Sequence, residues 1–536
     1  MITRYVRLLI LASFADAHSS RRTSSTAKRS ERHLWLNLVL HALTGSLLVI
    51  GAASPILAAT DRVTSLADDS SPGTLRSVLA AADPGDTIVF NVTGTITLIQ
   101  GHLEINKTLI VSGPGAAKLL ISGGDTFTVL QVDSGVAVVI YGLTIEHGYS
   151  SLAGGGGGID NKGALALVKS AVLDNLDGDD GSDGEGIYNS GILTLFNSTL
   201  SDNFSSNDGA GIYNTGTLAV VSSTVSNNGC GLPGASGGGI YNSGSGTVTI
   251  SSSTVSGNAV HDGGQGGGIY NNGTLKVRNS TLSDNDDFFG QGAGIYNNGS
   301  LKVLNSALSG NSAIEDNGGA IVNSGVATVT DSTLSSNSAT DGGWGGGIYN
   351  EGTLTVVNST LSSNSTTDNG GDGRGGAIYN GGGTVAMSFS TLSGNSANEG
   401  GAIFNRATLI LKSTILAGQT SGGNCYDSQI SDPSSQGYNL ADDSTCSFLT
   451  QTGDQNNNNA GLSPSGLQNN GGPTQTIALL PTSSAANAIP VTACTDTFGS
   501  RVTTDQRGVR RPHGPGCDIG AYELTKKKLL SLSAPR

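Results

Sequence analysis

The sequence predicts an all-β chain wound as a single-stranded parallel β-helix, with three short strands per coil. Three observations predict it. A string close to GGGIYNSGSGTVTISSSTVSGN (237–258) returns between Gly154 and Asn405, its columns kept in register. Apolar positions within each copy lie two residues apart, the spacing of a strand with one face inward. Copies this short cannot bury a core alone and gain one only by stacking on their neighbours.

The first column is Ile in all ten copies, from Ile159 to Ile403, and the residue two positions on is always Asn. Further apolar columns follow, represented in one copy by Leu275, Val277 and Leu282, and a second Asn column closes each copy, as at Asn285. The strands therefore centre on IYN, TLTV and STLS. A buried turn leaves backbone groups unpaired, and Asn carries donors and an acceptor to satisfy them. Asn189, Asn214, Asn242, Asn271, Asn297, Asn350 and Asn380 are expected to form a ladder bonded along the long axis. Tyr stands between Ile and Asn in seven copies, on the outward side, as Tyr188 and Tyr213 do. Rings one rung apart cover each other, so a self-stacked ladder is favoured there over a sugar-stacking stripe.

Length varies on one edge only. From the column Ile to the second Asn the count is 16 in seven of nine copies; from that Asn to the next Ile it runs from 8 to 14. This edge carries 15 acids against one base, Arg374. It also collects the unusual residues His261, Phe288, Phe289 and Trp344, which with Asp368 and Asp372 form the candidate binding edge. Loops on a rigid scaffold are where binding residues concentrate. The densest acidic stretch, LDGDDGSDGEG (176–186), is either a solvated loop or a calcium loop with Asp177, Asp179, Asp180 and Asp183 as ligands.

No catalytic constellation is visible. Four histidines lie beyond residue 59, at 102, 147, 261 and 513, in unrelated places. The cationic cluster of Lys276, Arg278 and Lys302 has no acid at matching strand positions. Zinc spacing is absent, and no cofactor is expected apart from calcium.

Five cysteines fit an exported chain. Cys425 with Cys446, and Cys494 with Cys517, have loop-sized spacings suited to two disulfides, with Cys230 left over. Residues 1–59 hold seven Lys/Arg and two Asp/Glu, a net charge of +5, and end in LWLNLVLHALTGSLLVIGAASPILAA (34–59). This reads as a signal segment with exit sites at Ala53, Ala58 or Ala59. The rest of the chain then carries −19 of the total −14, which excludes nucleic acid and anionic membrane surfaces as partners. No later run is long and apolar enough to span a bilayer.

PGTLRSVLAAADPGDTIVF (72–90) resembles the opening of secreted bacterial right-handed β-helix repeat proteins, whose pectin-lyase-like solenoid begins with a short cap helix, here about Leu75–Ala82. GGAIVN (318–323), GGAIYN (375–380) and GGAIFN (400–405) are similar to the GGAI half of polymorphic outer-membrane protein repeats. GGPTQTIALLP (471–481), DQRGVRRP (505–512) and CDIGAYE (517–523) resemble the choice-of-anchor Q module of surface proteins. The expected organisation is a leader (1–59), an N-terminal cap with the first coils (60–150), Gly-rich β-helix repeats (151–417), an irregular C-terminal capping module (418–524) and a short basic tail (525–536). The function expected is that of an exported, non-enzymatic surface or matrix protein of adhesin-like type, outer membrane included. It would present its acidic edge to a glycan or cell-surface partner. The alternative is a polysaccharide lyase or glycoside hydrolase of the same fold. Oligomeric state is left open.

Overall fold

A computed structural model describes residues 58–150, 155–177, 181–367, 372–428 and 432–525. The leader up to residue 57, Asp179, Asp180, Asp368 and the tail from 526 lie outside the described residues.

Among the described residues the chain winds through three long parallel sheets of 13, 15 and 14 strands. Each coil passes from the Ile-x-Asn strand to a five-residue strand and then to a three-residue strand. Pairing is residue for residue: Ile212 with Ile240, Leu218 with Val248, Val225 with Val255. One face of each strand points inward, and Ile240, Val248, Ile250 and Val255 are fully buried. Each such side chain contributes about 1.5–3 kcal/mol of burial. Repetition turns that local gain into one continuous core.

Among the described residues seven coils add a fourth strand, from Phe204–Ser205 to Ser365–Thr367, forming a seven-stranded parallel sheet. It lies on the edge of variable length. Two or three residues are too few to show alternation in the sequence; these strands exist because each one pairs with the coil before it.

Three polar ladders close the turns. In the first, Asn Nδ2 donates to the Asn Oδ1 of the next coil, at 2.7 Å for Asn189 to Asn214 and 2.8 Å for Asn214 to Asn242. In the second, Asn258 Nδ2 and its backbone N both donate to Asn285 Oδ1. The third is of serine: Ser253 N donates to Ser280 Oγ at 3.1 Å, and Ser280 N to Ser306 Oγ at 3.2 Å. A left-handed residue precedes each member of the second and third ladders, such as Asp284 (φ 54°) and Asn279 (φ 48°). That backbone turns the amide of the following residue toward the neighbouring coil, where the side-chain oxygen meets it. Asn, Asp and Gly tolerate this conformation best, which explains their frequency at the corners.

The ends are closed differently. Helix Leu75–Ala81 starts at Thr74, whose side chain accepts from Ser77 N, and buries Leu75, Val78 and Leu79 over the first coil. At the other end the Cys425–Cys446 disulfide pins the last coil, with Leu449 in the same core. The sequence predicts a cap beyond the final coil. The structure shows in addition that residues 474–522 fold back along the outer side of four coils. Thr333 donates to Gln475 O, Thr360 to Gln506 Oε1, and Thr391 accepts from Ala521 N. Phe389 and Ile415 join Ile489, Ile519 and Tyr522 in a second core, which includes the Cys494–Cys517 disulfide. The reason is chemical: these coils offer Thr hydroxyls and two large apolar side chains on a face turned away from the main core.

Candidate functional site: the acidic fourth face

The fourth face is built on the interval between the second Asn and the next Ile. Its inward column reads Ser205, Cys230, Val260, Asp287, Ala313, Ala339 and Thr366, all buried. Small residues fit because the wall runs close to the next turn.

Many acids on this edge are withdrawn from water. Glu185 is fully buried; its carboxylate accepts from Ser150 N at 2.9 Å and from Ser182 Oγ at 3.1 Å. Burial pushes its pKa up to about 8, against the pull of those bonds. Asp208 accepts from Ser236 N at 2.7 Å, and burial raises it to about 6. Burial likewise raises Asp183, Asp286 and Asp316. Acids facing solvent sit at the turn tips, where Asp262, Glu315 and Asp341 are held at positive φ.

A sign follows for stability. A carboxyl whose folded pKa is raised gives stability that is complete below its unfolded value, near 4, and lost as pH rises through the folded value. For Asp208 the loss runs from about pH 4 to 6, and for Glu185 from about pH 4.5 to 8. Thermal melts are therefore expected to give a midpoint several degrees higher at pH 5 than at pH 8.5. Glu185→Gln should flatten most of the fall between pH 6 and 8; an equally steep fall in that variant would contradict the assignment.

The candidate edge residues fall into separate groups. His261 stacks on Phe288 at 4.8 Å between ring centroids, with planes 9° apart. Phe289 follows at the turn with φ 66° and 52% of its surface exposed. A bulky residue in that backbone region costs on the order of 1 kcal/mol, and such strain concentrates at sites of contact. Trp344 lies farther along, stacked on Tyr379 at 4.9 Å; its indole Nε1 donates to Asp372 O. The Arg374 guanidinium covers both Trp344 and Phe404 and pairs with Glu399 at 3.2 Å. Of the four acids expected as calcium ligands, two are described. Asp177 accepts from Ser206 N and Ser206 Oγ, each at 2.7 Å, which commits both of its oxygens to the next coil. Among the described residues no three His, Cys, Asp or Glu side chains converge as a metal site.

The outward aromatic column is a stack. Tyr188, Tyr213, Tyr241, Tyr270 and Tyr296 have centroids 4.7–5.3 Å apart and planes within 13° of parallel. A second run joins Tyr349, Tyr379, Phe404 and Tyr426. Sugars bind on ring faces, and here each interior ring has both faces taken by its neighbours. Only edges and phenol oxygens remain for solvent. Lys276 and Lys302 pair in register on the five-residue sheet and stay exposed.

Sequence reasoning did not find the fourth strand, the serine ladder or Asp287. The Ser column was legible in principle, since it recurs as regularly as Asn; abundant Ser elsewhere in the chain masks it. Among the described residues no helix is long and apolar enough to cross a membrane.

Compared with known proteins, residues 158–334 match the family description "right handed beta helix region". No curated protein matches the sequence. Similar solved structures include pectate lyase Pel9A, at 11% identity over 88% of this chain and 97% of that one, with a TM-score of 0.31. A PL6 alginate lyase in complex with a trisaccharide is 10% identical over 71% of this chain and 86% of the other, TM-score 0.30. A mannuronic acid specific polysaccharide family 6 lyase from human gut microbiota is 12% identical over 69% and 83%, TM-score 0.31. The chain folds as a right-handed parallel β-helix, and residues 158–334 carry the family match.

Proposed function

We propose that the protein is an exported, non-enzymatic β-helical scaffold of the cell surface or extracellular matrix that binds a glycan or surface partner through its fourth face. The observation that carries this reading is the stacked His261–Phe288 pair beside the half-exposed, left-handed Phe289, mounted on a strand paired on both sides. A rigid wall presenting solvent-facing aromatics, Phe289 among them in a left-handed backbone, beside acidic turn tips suits recognition. Two disulfides and the basic, apolar leader support export. The C-terminal motifs similar to the choice-of-anchor Q module support a surface or matrix setting.

Binding screens on glycans and matrix proteins test it. A partner found this way should lose at least tenfold in affinity with Phe289→Ser, while Tyr241→Ser leaves affinity unchanged. Turnover of a uronate or neutral polysaccharide, abolished by changing a single carboxylate of this edge, would overturn the non-enzymatic reading.

A further inference from the structure

Asp287 differs from every other member of the inward column. Its register partners are Val260 in the coil before and Ala313 in the coil after. Its side chain is fully buried, and neither carboxyl oxygen has a partner in hydrogen-bonding geometry. The nearest amides, of Gly266 and Gly290, draw its pKa down less than burial and the neighbouring Asp316 push it well above the carboxylate range. The wall is tight on the Gly290 side: a Cβ on Gly290 would stand 2.6 Å from Asp287 Oδ1 and 1.7 Å from Gly264 O, so no atom fits between them there. An ionised carboxylate without a counter-charge in such a place costs several kcal/mol, so the group is neutral while the strand is seated.

The charged surroundings offer no relief. From the coil after, Asp316 faces Asp287 and raises it further. From the coil before, His261 acts on the outward neighbour Asp286, which Asp284 of the same coil opposes. Asp262 and Glu315 occupy the turn positions equivalent to Phe289. The group has only two ways to satisfy itself above its pKa: a cation must enter, or the strand must leave the wall.

We propose that Asp287 is a proton-held latch on the binding edge. Neutral, it seats the strand Asp286–Phe288 and fixes the His261–Phe288 pair and Phe289 for contact; ionised, it draws that strand out of the wall and disperses them. Lower pH therefore displays the edge, and higher pH retracts it. This rests on the reading of that edge as the binding surface, and it names the regulation of that surface.

Hydrogen exchange on the full chain tests the latch without any partner, so its failure is separable from failure of the binding reading. Exchange is followed at Asp286–Phe288 between pH 5.5 and 8.5, corrected for the intrinsic rate. Strand Ser338–Thr340, with Ala339 at the equivalent inward position, serves as the control. In the wild type, protection at Asp286–Phe288 should fall at least tenfold across that range while the control stays constant. Asp287→Asn and Asp287→Ala should both hold their protection at pH 8.5. Wild-type protection that is flat, or that falls equally in the control, overturns the latch. So does a fall that persists in the variants. Restoration of protection at pH 8.5 by millimolar calcium, reversed by chelator, also overturns it and assigns the neutralising role to a cation. Should neither variant fold, the wild-type comparison with the control strand decides alone.

Discussion

Arg511→Met is expected to release the C-terminal module from the wall. Arg511 is among the largest fully buried side chains of the protein. Its Nη1 donates to Glu523 at 3.0 Å and to Asp518 O at 2.8 Å, its Nη2 donates to Gly520 O, and its guanidinium covers the Phe389 ring at 4.7 Å. Burial works against both charges of the Arg511–Glu523 pair, lowering the one pKa and raising the other, so the pair's net worth is small. Breaking it is another matter. The variant leaves Glu523 buried without its cation and strips three carbonyls, of Thr504, Asp518 and Gly520, of their donor, at a cost of about 3–5 kcal/mol. The damage should be local. Gln506, which bonds Ser332 O, Thr333 Oγ1, Thr474 Oγ1 and Gln475 O, belongs to the same clamp and would lose its place. Limited proteolysis should cut the segment around 495–515 at least tenfold faster, while the repeats keep their sheet signal. Wild-type resistance in Arg511→Met would contradict the clamp.

The second large effect is expected at the middle of the first ladder. Asn271 accepts from Asn242 Nδ2 at 2.7 Å and donates to Asn297 Oδ1 at 2.7 Å, with longer bonds to Gly273 O and Ser300 O. Asn271→Ala removes this link and leaves donors and acceptors of three coils buried without full partners. Each such group costs about 1–3 kcal/mol, and about 2–4 kcal/mol in total is expected once neighbours relax. Asn271→Asp should be worse still, because it buries a carboxylate and sets one of its oxygens against the Asn297 Oδ1 acceptor. The control is Asn298, whose outward amide bonds Asn272 in an exposed position; Asn298→Ala should stay within about 0.5 kcal/mol. Chemical denaturation checks both. A loss at Asn271 no larger than at Asn298 would mean that the ladder decorates the wall without supporting it.

Much of the scaffold could be read from the chain. Ile, Leu and Val at spacing two, and Asn at fixed places, carry the identity of the buried faces directly. Only one inward rotation of each strand hides them all, so register was specified as well. The fourth face was another case. Ser205, Cys230, Val260, Asp287, Ala313, Ala339 and Thr366 share an inward position but no chemical type, because what the position requires is small volume. A strand of two residues has no period to detect. The docking of the C-terminal module was hidden for a different reason: Thr333 and Thr360, which receive it, read the same as Thr254 and Thr281 of coils that stay uncovered. Buried acids were hidden too. In the sequence Glu185 and Asp287 look like any solvated carboxylate among glycines, and only the path of the wall separates them from the exposed tips.

The central claim is that consecutive coils stack in strict register, and a distance between two labelled sites tests it most directly. Lys276 and Ser434 occupy one outward column of the five-residue sheet, linked through Lys302, Thr328, Thr355, Ala386 and Ile410. Spin labels on Lys276→Cys and Ser434→Cys, with the buried Cys230 changed to Ala, therefore lie six rungs apart. At about 4.8 Å per rung, pulsed electron resonance should give one narrow distance near 29 Å between backbone sites, broadened only by the label arms. A broad distribution, or a mean that differs from six rungs by more than those arms allow, would contradict the stacked solenoid.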